Sequence, residues 1–212
     1  MRYRAALFRY ALWAALVLAA AVPALADTAA PGNDRAPPPA EAERSLHPAE
    51  ARLFAALKNA ATEAEGRAAE TAIWRHWMEA APDAATRRLV EEAMDRRGSY
   101  DFAGARALLD AAVAAAPDYA EAFNQRGFVR FLQEDFDGAL ADVDRAIALE
   151  PRHFAAMSGR AIILMRQGRF RLAQTQLREA VAIHPFLKER AMIVPEAPDT
   201  PDTPAEPGGV DL

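Results

Sequence analysis

Cysteine is missing from all 212 residues, and lysine occurs only twice, as Lys58 and Lys188. Without cysteine there is no disulfide framework, thiolate zinc site, iron–sulfur cluster, cysteine nucleophile or lipidated N-terminal cysteine. The net charge is −5, so a basic nucleic-acid-binding surface is not expected. Few residues are β-branched and alanine is abundant, a composition that favours helices. Long hydrophobic runs are lacking too. The apolar stretch Tyr10–Val22 is 13 residues, whereas a membrane span needs about 20.

That stretch has the layout of an export signal. Arg2, Arg4 and Arg9 precede it, and Pro23-Ala24-Leu25-Ala26 follows with small residues at the positions of an A-x-A cleavage site. Residues 1–26 are therefore expected to be a signal peptide, cut after Ala26. The alternative is an uncleaved anchor and a membrane-tethered assembly factor. Cleavage removes three positive charges and moves the net charge from −5 to −8. Residues 27–45, with Pro37, Pro38 and Pro39 in a row, are expected to form an extended linker. Residues 195–212, acidic and proline-rich, are expected to be disordered.

Between these ends the chain repeats itself. Pro117, Pro151 and Pro185 are 34 residues apart. The same spacing relates Phe102, Phe136 and Phe170; Ala105, Ala139 and Ala173; Ala112, Ala146 and Ala180; and Leu109, Val143 and Leu177. Each unit parses as two helices. In the middle unit the first runs from about Ala120 to Gln133 and the second from about Asp137 to Leu149, ended by Pro151. Gly127, Ala139 and Ala146 are small where helices must approach closely. A larger side chain there would push the axes beyond about 8–10 Å.

Two further helices precede the repeats. One is expected from about 49 to 60, with Pro48 in its first turn, Ser45 or His47 before it, and a stripe of Leu53, Phe54 and Leu57. The other follows the capping-box pair Thr62 and Glu65 and carries Ile73, Trp74, Trp77 and Met78 on its heavy face. This pair, residues 46–83, reads as an N-terminal cap over the exposed side of the first repeat.

These units resemble tetratricopeptide repeats, helix–turn–helix units of the same length. Phe123 stands where the family usually has Trp; Gly127, Ala139, Ala146 and Pro151 match. So do Met157, Ala161, Leu164, Ala173, Ala180 and Pro185 in the third unit, and Leu89, Ala93, Ala105, Ala112 and Pro117 in the first. Arg96 and Arg130 replace a usual Tyr. With its Ile73-Trp74-x-x-Trp77 segment, the whole chain also resembles small exported repeat proteins of bacteria. The resemblance implies an all-α fold, a right-handed α-solenoid with repeats at 86–119, 120–153 and 154–187 behind the N-terminal helical cap pair.

The resemblance also implies a function, that of a non-catalytic scaffold or adaptor in the periplasm. It would bind an unidentified protein or peptide on a concave face lined by first helices. The expected groove residues are Arg87 and Met94; Asn124, Gln125, Phe128 and Phe131; and Ser158, Ile162, Met165 and Arg166. Alternatively, Phe128, Phe131, Ile162 and Met165 are ordinary core between helices. Some family members bind a peptide's terminal carboxylate with Lys and Asn, and both lysines here lie outside the repeats. No catalytic residue, cofactor, metal, nucleic acid or, after cleavage, membrane is assigned. His76, with Glu79 three residues on, marks the alternative of a metal or enzymatic site, short of a full ligand set. His153 and His184 read as turn residues. Glu91 and Glu92, and Asp135 and Asp137, read as solvated or helix-capping carboxylates.

Overall fold

The computed structural model describes residues 48–195. The signal segment, the linker, Ser45, His47 and the tail from residue 196 onward lie outside the described residues. Within them the chain forms eight α-helices: α1 (Pro48–Lys58), α2 (Glu63–Glu79), α3 (Ala84–Gly98), α4 (Phe102–Ala115), α5 (Ala120–Leu132), α6 (Phe136–Leu149), α7 (Phe154–Arg166) and α8 (Phe170–Ile183). A 3-10 turn, Lys188–Met192, follows. The helices pack as sequential antiparallel pairs.

Local chemistry sets the helix ends. Thr62 caps α2 by accepting from the Glu65 N–H at 3.2 Å, and Glu65 reaches back to the Ala61 N–H at 2.8 Å. Asp83, Asp101 and Asp135 cap α3, α4 and α6 through the N–H groups of Thr86, Gly104 and Gly138. Those hydrogen bonds hold the Asp83 and Asp101 carboxyls below the ordinary aspartate range. Helices α4, α6 and α8 each stop two residues before Pro117, Pro151 and Pro185.

The repeating small residues are where the helices meet. Ala105, Ala139 and Ala173, and Ala112, Ala146 and Ala180, are fully buried. A Cβ at Gly127 would lie 3.0 Å from Val143 Cγ1 and 3.2 Å from the Ala139 carbonyl, so α5 and α6 touch nearly backbone to backbone. Phe102, Phe136 and Phe170 each open the second helix of a pair. Phe102 and Phe136 are half-buried, and Phe170 is exposed because no further hairpin follows it among the described residues.

A polar device repeats with the same period. Arg126 on α5 grips Asp142 of its own pair with two hydrogen bonds, at 2.6 and 2.9 Å, and Asp110 of the preceding pair at 3.0 Å. One period later, Arg160 on α7 bonds Asp144 of the preceding pair at 2.6 Å and Gln176 of its own at 3.0 Å. Each arginine thus ties a first helix to the second helices on both sides. Where Tyr was expected, Arg130 donates to the Gly138 carbonyl and pairs with Asp142, while Arg96 pairs with Glu92 and Asp101. Ion pairs hold these positions in place of an aromatic ring.

The turns inside the pairs share a left-handed residue at the same register: Tyr100 (φ 63°), Glu134 (φ 62°) and Gly168 (φ 77°). Only glycine adopts this conformation without cost. A Cβ at Gly168 would meet nothing within 4 Å, so the backbone alone sets the price of a side chain there. Gly168→Ala is expected to lower stability by about 1 kcal/mol, and Glu134→Gly to raise it by up to about 1 kcal/mol. Urea midpoints of the two variants moving in the same direction would contradict this.

The N-terminal pair reaches beyond the first repeat. Helix α2 does not stack on α3 as α5 stacks on α4 or α7 on α6. It runs past the turns between the pairs instead. Gly66, near its start, abuts Phe186, and Glu70 lies 3.5 Å from His184, both beyond α8. Trp74 and Trp77 pack on His153 and Phe154 at the start of α7. Met78, near its end, joins Val90, Met94 and Tyr119 of the first pair. Seventeen helical residues span about 25 Å, enough to reach from the last pair to the first. An aromatic face of this size is buried more completely across three helices than at the edge of one hairpin. No described helix is long and apolar enough to cross a membrane.

Candidate functional site

The face made by α3, α5 and α7 is where a ligand was expected; α2 meets it at the starts of α5 and α7, through Tyr119, His153 and Phe154. Asn124, Gln125, Phe128, Phe131, Ser158, Ile162 and Met94 are all buried. Met165 and Arg87 are half-buried and Arg166 is exposed. Phe131 and Ile162 belong to the core between the second and third pairs. Phe128 lies 4.6 Å beneath the Arg97 guanidinium. Arg87 is 3.9 Å from Glu91.

At the centre is a buried polar network that the sequence reading did not find. Glu121 on α5, 1% exposed, accepts from Gln125 at 2.5 Å and from Asn124 at 3.3 Å. Its Oε2 is 3.1 Å from His153 Nε2. Gln125 in turn accepts from Arg97 on α3. His153 is no simple turn residue. It is completely buried and caps α7, its Nδ1 accepting from the Ala156 N–H at 3.2 Å. An Nδ1 that accepts carries no proton, so Nε2 bears the hydrogen and donates it to Glu121. The same ring stacks on Trp77, with centroids 3.9 Å apart and planes within 14°. One histidine therefore joins a helix cap, a buried carboxylate and the N-terminal pair. His184 is also buried, edge-on to Phe154 and near Glu70.

The outer end of α1 is held by charge. Arg152 donates to Glu50 at 3.3 Å and covers the Phe54 ring at 3.7 Å. Burial, and then the Glu50 carboxyl beside it, pushes the Glu150 carboxyl up from 4.5 to about 7. Burial likewise raises Glu189, with Glu70 adding to the effect. An acid raised by folding is a proton bound only by the folded chain between the two pKa values. Stability therefore falls as pH rises from about 4.5 to about 7, and the full penalty is present above that window. Glu150→Gln should flatten this fall and leave the variant more stable than wild type near pH 8. Equal slopes of urea midpoint against pH for the two proteins would contradict it.

His76 is half-buried and Glu79 exposed. No group of three or more His, Asp or Glu arranged to hold a metal occurs among the described residues.

Residues 130–191, from within α5 to the 3-10 turn, match the family model described as Tetratricopeptide repeat. No curated protein matches the chain. The protein is all-helical and contains a tetratricopeptide repeat domain. Such domains are generally protein–protein interaction modules and typically non-catalytic.

Proposed function

We propose that this chain is a non-catalytic scaffold or adaptor that acts in the periplasm after export and cleavage behind Ala26, and that it binds a partner protein through the first-helix face. The observation that carries the reading is the way the stack already holds an amphipathic helix across the starts of α5 and α7. Three repeated hairpins present a continuous surface on which α2 buries two tryptophans over His153 and Phe154. A repeat stack that takes a helix along its length has the geometry of a helix-in-groove receptor. The exposed or half-buried edge residues Arg87, Met165 and Arg166 border it.

A photo-crosslinking residue placed at Arg87, Met165 or Arg166 in cells should trap one discrete partner. A protein that is exported, folded and trapped with nothing at all three positions would count against the proposal. N-terminal sequencing of the fractionated protein tests its location. Asp27 as first residue in the soluble periplasmic fraction is expected, and Met1 in the membrane fraction would favour a tethered assembly factor.

A further inference from the structure

We propose that the acidic, proline-periodic segment 195–207 of this chain docks in cis on the start of α8, covering the open end of the repeat stack. The inference is independent of the protein-binding reading above and concerns a different face.

The receiving surface is set apart by charge. In a chain of net charge −5, residues 151–178 hold six arginines and no Asp or Glu. The inversion follows the 34-residue register. Asp101 and Asp135 cap α4 and α6. Arg169 holds that position before α8 and makes no capping bond. Asp137, in the first turn of α6, gives way to Arg171. Asp110 and Asp144, which receive the arginines of the next pair, give way to Arg178. A cation at a helix start forgoes the cap and opposes the helix dipole, so helix stability does not account for Arg169. Arg169 and Arg171 are exposed, and neither side chain has an ion-pair partner among the described residues. Beside them Phe170 is 63% and Leu172 46% exposed. The surface is therefore both basic and apolar.

The backbone leads to it. The chain leaves the end of α8 at Leu187, bonded to His184, and by Val194 has come back to Gln174. Gln174 donates to the Met192 carbonyl at 2.9 Å and accepts from the Val194 N–H at 2.8 Å, while Arg178 donates to the Val194 carbonyl at 3.0 Å. Gln174 stands in the slot of Leu140, and Arg178 in that of Asp144. Helix α8 thus grips an extended backbone where α6 receives a helix. Beyond Val194 the same course runs toward Phe170.

The segment that follows has the matching pattern. Pro195, Pro198, Pro201, Pro204 and Pro207 recur every three residues, and Glu196, Asp199 and Asp202 keep the same spacing. Three is the period of polyproline II, which sets an edge of prolines beside an edge of carboxylates. Arg171 lies two turns, about 10.5 Å, before Arg178 on α8. At about 3.1 Å per residue from Val194, Glu196 and Asp199 bracket that distance. The carboxylates then meet Arg171 and Arg169, and the prolines lie on Phe170 and Leu172, as proline edges do on aromatic surfaces. An acidic partner or a second copy's segment would meet the same groups without the high effective concentration of an attached one.

The absence of native cysteine allows a single label. In the full chain with Thr200→Cys carrying a nitroxide, amide signals of residues 169–172 should broaden and those of α1, α3 and α5 should not. Arg169→Asp with Arg171→Asp should remove the broadening. This variant gives α8 the residues that α6 carries, so it should fold, and its urea midpoint should not fall below that of wild type. Glu196→Arg with Asp199→Arg and Asp202→Arg should remove the broadening too, and combining the two sets should restore it. About 1 M salt, with a screening length of about 3 Å, should weaken it. A mixture of labelled and isotope-enriched, unlabelled molecules should show none. Absence of broadening at 169–172, its survival in either charge-reversed variant, or its appearance in the mixture overturns the proposal. The first result would leave the α8 start to an acidic partner, and the last would assign it to a second copy.

Discussion

Trp77→Ala is expected to cost about 3–5 kcal/mol of stability, a large fraction of the roughly 5–15 kcal/mol that a domain has to lose. Trp77 is 4% exposed and touches four aromatic neighbours from three parts of the chain. Phe54 of α1 lies 6.2 Å away, Trp74 of α2 5.3 Å, His153 3.9 Å and Phe154 5.0 Å between ring centroids. Removing the indole leaves a cavity that two rigid rings and a helix start cannot collapse into. It also uncovers the far face of His153. The loss should therefore appear as separation of α1–α2 from the stack as well as a lower urea midpoint. Tyr100→Ala is the natural comparison. Its ring is 82% exposed, and a change within about 0.5 kcal/mol is expected. A loss below about 1 kcal/mol for Trp77→Ala would mean that the N-terminal pair contributes little to the fold.

What the sequence revealed was what depends on short spacings. Ala105, Ala139 and Ala173 recur every 34 residues because each sits at the same helix crossing, and all three are fully buried. Pro117, Pro151 and Pro185 mark helix ends because proline cannot continue a helix, wherever the rest of the chain lies. Thr62 caps α2 through a partner three residues away. The arginine clamp was missed, although its signal is present in the sequence. Arg126 and Arg160 have Asp or Gln sixteen residues to either side, a signal lost when only apolar slots are compared.

The destination of α2 was not legible. Its heavy face is plain in Trp74 and Trp77, but periodicity says which face is buried and nothing about which surface receives it. The receiving residues look ordinary in sequence. His153 follows a repeat-ending proline and reads as a turn. Glu121 lies in the first turn of α5, where the helix dipole favours any acidic residue, so its presence there is no signal. Only their meeting, 32 residues apart, makes them a network. The groove residues Asn124 and Ser158 have the same history. Their shared register placed them on one face, but nothing in their own spacing shows that both are buried.

That network carries the second large effect. Glu121→Ala is expected to cost about 3–5 kcal/mol, because removing one partner of a buried ion-supported network strands the others. Asn124 and Gln125 lose their acceptor on the same helix, and His153 keeps an Nε2–H with nowhere to donate it. The ring cannot simply turn over, since Nδ1 is committed to the Ala156 N–H. Glu121→Gln keeps the shape but replaces one acceptor oxygen by an amide that points two hydrogens at a donor. It should fall between wild type and alanine. Because His153 also lies flat on Trp77, the loss should not simply add to that of Trp77→Ala. A double-mutant cycle should give a coupling of about 0.5–3 kcal/mol. Additivity within about 0.3–0.5 kcal/mol would mean that the buried carboxylate and the docked helix are independent. In that case the polar network would support α5 and α7 alone, and the seat of α2 would be held by apolar contact.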